Sequence, residues 1–161
     1  MKRFSIILIV TLIFMTFTLP LYAQEKLLGE GMVIYCQMGG AEGAVATIQR
    51  TLGAREAAKA LGVKLIEQYS QWQPEKMVQQ FKEAIAAQPD GIVIMGHPGS
   101  AAMWDLVREA DSKGIIVTVN NTPLPDIQEE FLAKGFGYAG VDLFAGGYLT
   151  GQAMVKAGLK P

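Results

Sequence analysis

Cysteine is almost absent from this chain. Cys36 stands alone among 161 residues, so no disulfide can form within it. Histidine is equally scarce, with His97 the single copy. A metal site needs several His, Cys, Asp or Glu ligands at suitable spacing, and none is encoded. His97 also lacks an acidic partner at motif spacing, so it reads as a loop residue or a single ligand donor, not a catalytic base. Charge runs are missing too. Fourteen basic and 15 acidic residues give a formal net charge of -1. The basic ones gather in no patch, which argues against nucleic acid as a partner. There is no internal repeat and no low-complexity tract.

What is present is apolar. Half of the residues are hydrophobic, enough for a packed core and too many for a disordered chain. The first 23 residues stand apart. Lys2 and Arg3 precede an apolar run from Phe4 to Phe17, Pro20 breaks it, and Leu21-Tyr22-Ala23 ends it on a small residue. That is the layout of a secretory signal peptide. The run is short for a membrane-spanning helix, although an uncleaved anchor is the alternative. No cysteine follows the expected cut, which argues against a lipid anchor. Without this leader the chain holds 12 basic and 15 acidic residues. An exported chain without disulfides must be stabilised by core burial, which a sizeable α/β domain achieves.

From Gly31 onward short apolar runs alternate with helical periodicity. Strands are expected at Met32–Cys36, Val63–Tyr69, Gly91–Met95, Ile115–Val119 and Phe136–Val141. The first, third and fourth are apolar on both faces, as parallel strands covered by helices must be. Between them, Ile48, Leu52, Ala57 and Leu61 recur at helical spacing and Gly62 stops the helix. Met77, Val78, Phe81 and Ile85 form a second stripe, opened by Pro74 and Glu75 and closed by Pro89-Asp90-Gly91. Ser100 is a suitable N-cap for a third helix carrying Trp104, Val107 and Ala110, with Gly114 as its stop. A short helix is expected over Asp126–Lys134 and a last one from about Leu143 to Ala157. This order gives an α/β fold with a doubly wound parallel sheet.

Ligands of such sheets sit beyond the carboxyl ends of the strands. The loops there hold Gln37-Met38-Gly39-Gly40-Ala41-Glu42-Gly43, then Ser70, Gln71 and Trp72. Gly96-His97-Pro98-Gly99, Asn120-Asn121-Thr122-Pro123 and Asp142 complete the set. Glycines let backbone amides approach a ligand closely. Amides and a carboxylate suit paired hydroxyls, and an aromatic face suits the apolar side of a sugar ring. The candidate ligand-binding residues are therefore Gln37, Met38, Gly39, His97, Asn120, Asn121 and Asp142. Trp72 is a candidate for stacking, or else a cover for the start of its helix. Asn120 and Asn121 read equally as ligand contacts or as turn residues. Cys36 reads as a small buried hydrophobe, and Trp104 as packing. No nucleophile has a base beside it, so no catalytic residue, metal or cofactor is expected.

The ordered series resembles the first lobe of the type I periplasmic sugar-binding proteins, the ribose- and galactose-binding group, over Met32 to Ala157. Three stretches carry the resemblance. They are Gly53-Ala-Arg-Glu-Ala-Ala-Lys-Ala-Leu-Gly62 leading into Val63-Lys-Leu, Pro74 to Ala87 with Gln88-Pro89-Asp90-Gly91-Ile-Val-Ile, and Gly140-Val-Asp142 followed by Gly146-Gly147 and Gly151. The resemblance implies a non-enzymatic solute-binding component of an ABC importer. It implies a first lobe at 31–141, the start of a second lobe at 142–161, and a fragment of a two-lobed protein. Asn120 and Asn121 would take the place of the sugar-binding pair after the fourth strand, and Asp142 would sit at the hinge. The partners implied are a sugar, a membrane permease when full length, and a chemoreceptor as a further candidate; the location implied is the periplasm or cell envelope. Many relatives carry an aromatic cluster before the first helix, where this chain has Gly43-Ala-Val-Ala-Thr47. With the second lobe missing, Phe144, Tyr148 and Leu149 are expected to form an exposed apolar patch.

Two other readings compete. A glycine loop after the first strand, with Glu67 late in the second, suggests a dinucleotide-binding enzyme. Met38 stands where the G-x-G-x-x-G spacing needs glycine. An exported sensor of the same fold is the other; a sugar-responsive repressor would need a DNA-binding helix pair before Met32, and none is encoded.

Overall fold

The computed structural model describes residues 26–158. The leader expected over residues 1–23 lies outside the described residues. In chain order the elements are β1 (Val33–Gly39), α1 (Val45–Leu61), β2 (Lys64–Tyr69), α2 (Pro74–Ala86), β3 (Gly91–Met95) and α3 (Ser100–Ser112). They continue with β4 (Ile116–Asn120), α4 (Pro125–Phe131) and its 3-10 extension Leu132–Lys134, β5 (Tyr138–Ala139), and α5 (Leu143–Lys156). Every strand pairing is parallel, and the sheet order is β2-β1-β3-β4-β5. The expected doubly wound sheet is therefore present. Its order reverses between β1 and β3, where neighbouring connections leave in opposite directions.

Right-handed crossovers place α1 on one face of this sheet and α2, α3 and α4 on the other. The second face carries the core. Met77, Phe81, Ala84 and Ile85 of α2 meet Met103, Leu106, Val107 and Ala110 of α3, Ile127 and Phe131 of α4, and Ile92, Ile94, Val117 and Val119 of the strands. Each large buried side chain here contributes about 1.5–3 kcal/mol. The expected stripe of α2 is buried as read, with Val78 at its margin. Ser100 opens α3 from inside the helix. Gly99 is its N-cap, and the Ser100 hydroxyl donates to Asp126 instead. Trp104 is half-buried beside this core, with the Arg108 guanidinium 5.2 Å from its ring centroid.

The first face is thinner, and here α1 departs from expectation. Its buried residues are Thr47, Thr51 and Ala58, not the stripe of Ile48, Leu52, Ala57 and Leu61. Ile48 is half-buried, and Leu52 and Leu61 are exposed. Ala57 and Leu61 instead line a cavity of about 400 Å³ between α1 and the sheet, with Ile34, Cys36, Leu65 and Val93 on its strand side. A bidentate ion pair fixes the helix on β2. Arg55 Nε and Nη2 donate to Glu67 at 2.6 and 2.8 Å.

Two strand boundaries also move. β1 runs on to Gly39, so Gln37, Met38 and Gly39 belong to the strand and not to the loop. β5 is only Tyr138–Ala139, since it pairs with β4 at two positions. α5 buries no residue, and Phe144, Tyr148 and Leu149 are exposed, as expected. Among the described residues no helix is long and apolar enough to cross a membrane.

Candidate functional site

The carboxyl ends of the strands form one polar rim, and it is held open at the switch point. β1 pairs with β2 as far as Gly39, opposite Tyr69, but with β3 only as far as Cys36, opposite Val93. Beyond that point the two strands separate, and Met95 N loses a backbone acceptor on β1. Gln37 replaces it. Its Oε1 accepts from Met95 N at 2.9 Å, and its Nε2 donates to Met77 O at 2.7 Å. Gln37 is fully buried, so this side chain ties β1, β3 and α2 together and faces the protein on both sides. Met38 is also fully buried. What it presents to the rim is its carbonyl.

The loop after β1 is fastened to the loop after β2. Gly39 O accepts from Ser70 N and Trp72 N, each at 3.0 Å, and from the Ser70 hydroxyl. Gly39 has φ +86°, and a Cβ there would stand 2.7 Å from Met95 Cε and 2.8 Å from Trp72 Cζ3. Glycine is required on both counts. Gln71 and Trp72 have φ of 56° and 63°, a left-handed pair that few residues other than glycine adopt. These dihedrals lay the indole along Gly39 and Gly40 while leaving it 38% exposed. Trp72 therefore lies on the rim and covers the glycine loop as well.

Arg50 projects from the first turns of α1 into this cluster, and the sequence reading did not include it. Its Nη1 donates to Met38 O at 2.6 Å, and its Nη2 donates to Asn121 Oδ1 at 2.9 Å. The guanidinium carbon is 5.9 Å from the centroid of the Trp72 ring. Burial lowers its pKa from the usual arginine value. A signal was available. Thr47, Arg50 and Thr51 share the helix face directed at the rim, and an arginine at such a position has a use other than solvation.

Asn121 is the hub of the polar set. It has φ +65°, a conformation that asparagine tolerates better than most residues. Its Nδ2 lies 3.4 Å from His97 Nε2, and Thr122 Oγ1 lies 3.2 Å from His97 Nδ1. The His97 and Trp72 rings are 5.2 Å apart at 47°. Burial, and secondarily the charge of Arg50, lower the pKa of His97 below its ordinary value, so the ring is neutral at neutral pH. Asn120 is buried and donates through Nδ2 to Gln37 O at 3.2 Å. Its Oδ1 has no hydrogen-bond partner among the described residues, and the same holds for the buried Thr47 hydroxyl. Unpaired buried acceptors are costly.

Asp142 reaches the neighbourhood through Tyr138. The Tyr138 hydroxyl lies 3.1 Å from Asn121 O and 3.0 Å from Val141 O, sharing its one proton between them. Asp142 follows directly and caps α5, accepting from Ala145 N at 2.9 Å. It is exposed. The structure thus joins Trp72, His97, Asn121 and Arg50 in direct contact, sets Asn120 behind them and Asp142 at the edge, and places Gln37 and the Met38 side chain inside the protein. The arrangement offers amide, guanidinium, indole and imidazole groups for binding. Among the described residues no three His, Cys, Asp or Glu side chains could hold a metal ion.

Residues 51–160 match the family described as periplasmic binding protein domain. The chain belongs to that family. The matched stretch runs from the middle of α1 through β2, β3, β4 and β5 to the end of α5. Solved structures resemble the chain as well. A periplasmic solute-binding protein of an ABC transporter from Actinobacillus succinogenes, with bound D-allose, is 28% identical with a TM-score of 0.66. That similarity covers 78% of this chain and 44% of that one. The fold is shared at 22% identity and a TM-score of 0.68 with a solute-binding protein from Burkholderia graminis in complex with D-arabinose, covering 80% of this chain and 42% of that one. It is shared at the same identity and TM-score with a carbohydrate transporter from Acidothermus cellulolyticus in complex with myo-inositol, covering 80% and 43%. The chain spans less than half the length of each. None of the curated proteins matches the chain. The family is one of binding proteins, not of enzymes. In keeping with that, Glu67 is not free to grip a ribose as a dinucleotide site requires. It accepts from Arg55 and from the Tyr69 hydroxyl at 2.7 Å, and the Arg55 guanidinium holds its carboxyl below the usual carboxylate range.

Proposed function

We propose that this chain is the first lobe of the solute-binding component of an ABC importer, exported by its leader to the periplasm or cell envelope. On this reading residues 1–23 are the signal peptide, 31–141 the lobe, and 142–161 the start of the second lobe. The ligand is a sugar or a related small polyol, held at the lobe interface by the rim of Trp72, His97, Asn121, Arg50 and Asp142. The observation that carries the reading is the meeting of Arg50, Asn121, His97 and Trp72 at the switch point of a parallel sheet in a chain of this family. Binding relatives solved with a sugar or a cyclitol support the ligand class. Capture is passive: closure of two lobes around the solute presents it to a permease, and no bond is made or broken. A membrane chemoreceptor is a second candidate partner for the closed form.

Calorimetric titration of this chain with a panel of aldoses and cyclitols tests the reading. Weak binding is expected, because one lobe supplies half of the contacts and cannot close. Sub-micromolar affinity for any sugar contradicts the half-site. Joining the chain to a second lobe should raise the affinity and produce a thermal shift with the preferred solute. A complete lack of shift with every sugar turns the reading away from carbohydrates.

A further inference from the structure

The rim carries a positive charge without a counter-ion. Three arginines lie among the described residues. Arg55 has Glu67 and Glu42, and Arg108 has Glu130, as carboxylate partners within 4 Å. Arg50 has none among the described residues, although it is half-buried. Both of its hydrogen-bond acceptors among the described residues are neutral oxygens, Met38 O and Asn121 Oδ1. The other rim groups, Trp72, His97, Asn120 and Asn121, are uncharged at neutral pH. Asp142, the carboxylate at the edge of the rim, accepts from Ala145 N of its own helix.

A half-buried cation without a counter-ion is an unfavourable arrangement unless something completes it. A guanidinium has five N–H donors, and two of these are used here. Those that remain can meet an oxyanion side by side, the geometry in which arginine binds carboxylate and phosphate best. Two further polar atoms without a partner among the described residues lie on the elements that carry the rim: Asn120 Oδ1, at the end of β4 on a side chain only 6% exposed, and Thr47 Oγ1, in the first turn of α1 and fully buried. The Trp72 face lies beside the guanidinium, where a ring attached to the anionic group would rest.

We infer that the solute captured at this rim is an anionic polyol, a sugar ring or chain bearing one carboxylate or phosphate group, with Arg50 as the residue that selects the charge. The inference rests on the solute-capture reading and narrows its ligand. Asn120 and Asn121 fit it, since amides bind hydroxyls without opposing an anion as an aspartate would.

The test is a titration of this chain at low salt with D-glucuronate, D-galacturonate and D-glucose 6-phosphate against D-glucose and D-galactose, in wild type, R50K and R50Q. Wild type should bind at least one acid about tenfold or more tightly than its neutral counterpart, the scale of a hydrogen bond to a charged group. Lys at position 50 should keep the preference and Gln should abolish it, with added salt weakening only the acid. The tighter of uronate and phosphate identifies the group. Equal or tighter binding of the neutral sugars overturns this inference and leaves solute capture standing. An acid preference that survives in R50Q overturns it too, because the charge would then lie elsewhere. Binding by no member of this panel overturns the inference and leaves solute capture to the wider panel of aldoses and cyclitols. Circular dichroism of R50K and R50Q separates a lost preference from a lost fold.

Discussion

Replacing Gln37 by Met tests the switch point directly. Methionine has nearly the same length and no hydrogen-bonding head, so packing is kept while two bonds are removed. Met95 N, which has no backbone acceptor on β1, would be left unpaired inside the protein. Such an orphan costs about 1–3 kcal/mol. Met77 O loses the bond from Gln37 Nε2 but lies within α2 and keeps its helical donor, so its loss is smaller, about 1 kcal/mol or less. Burying a thioether in place of an amide returns about 1 kcal/mol. The net destabilisation is about 2 kcal/mol. With a urea slope of about 1–3 kcal/mol per molar for a small domain, the midpoint should fall by roughly 1 M with an unchanged slope. Urea titration followed by circular dichroism measures it. A fall of less than about 0.2 M would refute the claim that Gln37 bridges the parted strands.

Phe81 is fully buried in the main core, and Phe81→Ala should cost about 3–5 kcal/mol in the same urea assay, enough to unfold a marginal domain. Cys36 is buried with its thiol pushed up to about 12, chiefly by burial; a thiol reagent at mildly alkaline pH should leave it unmodified in the native chain and label it in denaturant. His97 has a folded-state pKa below its ordinary 6.5 because burial and Arg50 disfavour the charged ring. The unfolded chain therefore takes the proton first. Stability should fall as pH drops from about 6.5 toward the lower folded value and level off beneath it, and His97→Gln should flatten the urea midpoint across that window.

The strands and most helices were legible because their signals are local. β3 runs over Gly91–Met95 as read, and the stripe of Met77, Phe81 and Ile85 faces the core because α2 is covered on one side only. α1 misled because its stripe assumes a covered face. One side of this helix is anchored through Thr47, Thr51 and Arg55, and its apolar residues border an open cavity. The residues of the candidate site were legible where the loop was short. His97 and Asn121 fall together because β3 and β4 are neighbours in register. Gln37 was misplaced because strand β1 outlasts its pairing with β3, a matter of sheet geometry with no trace in composition. Arg50 was missed for a related reason. It is 71 residues away from Asn121 in sequence, and only the winding of α1 over the sheet brings them together.

The central claim is that these loops form half of a solute site. Chemical-shift mapping of the isotopically labelled chain, with D-glucose and D-glucuronate added in turn, addresses it at residue level. The account predicts that the Trp72 indole, the Asn121 side-chain amide, the Arg50 guanidinium and the His97 ring move together with at least one of them. Shifts confined to the cavity of Ile34, Cys36 and Val93, or to α5, with the rim unmoved, would contradict it.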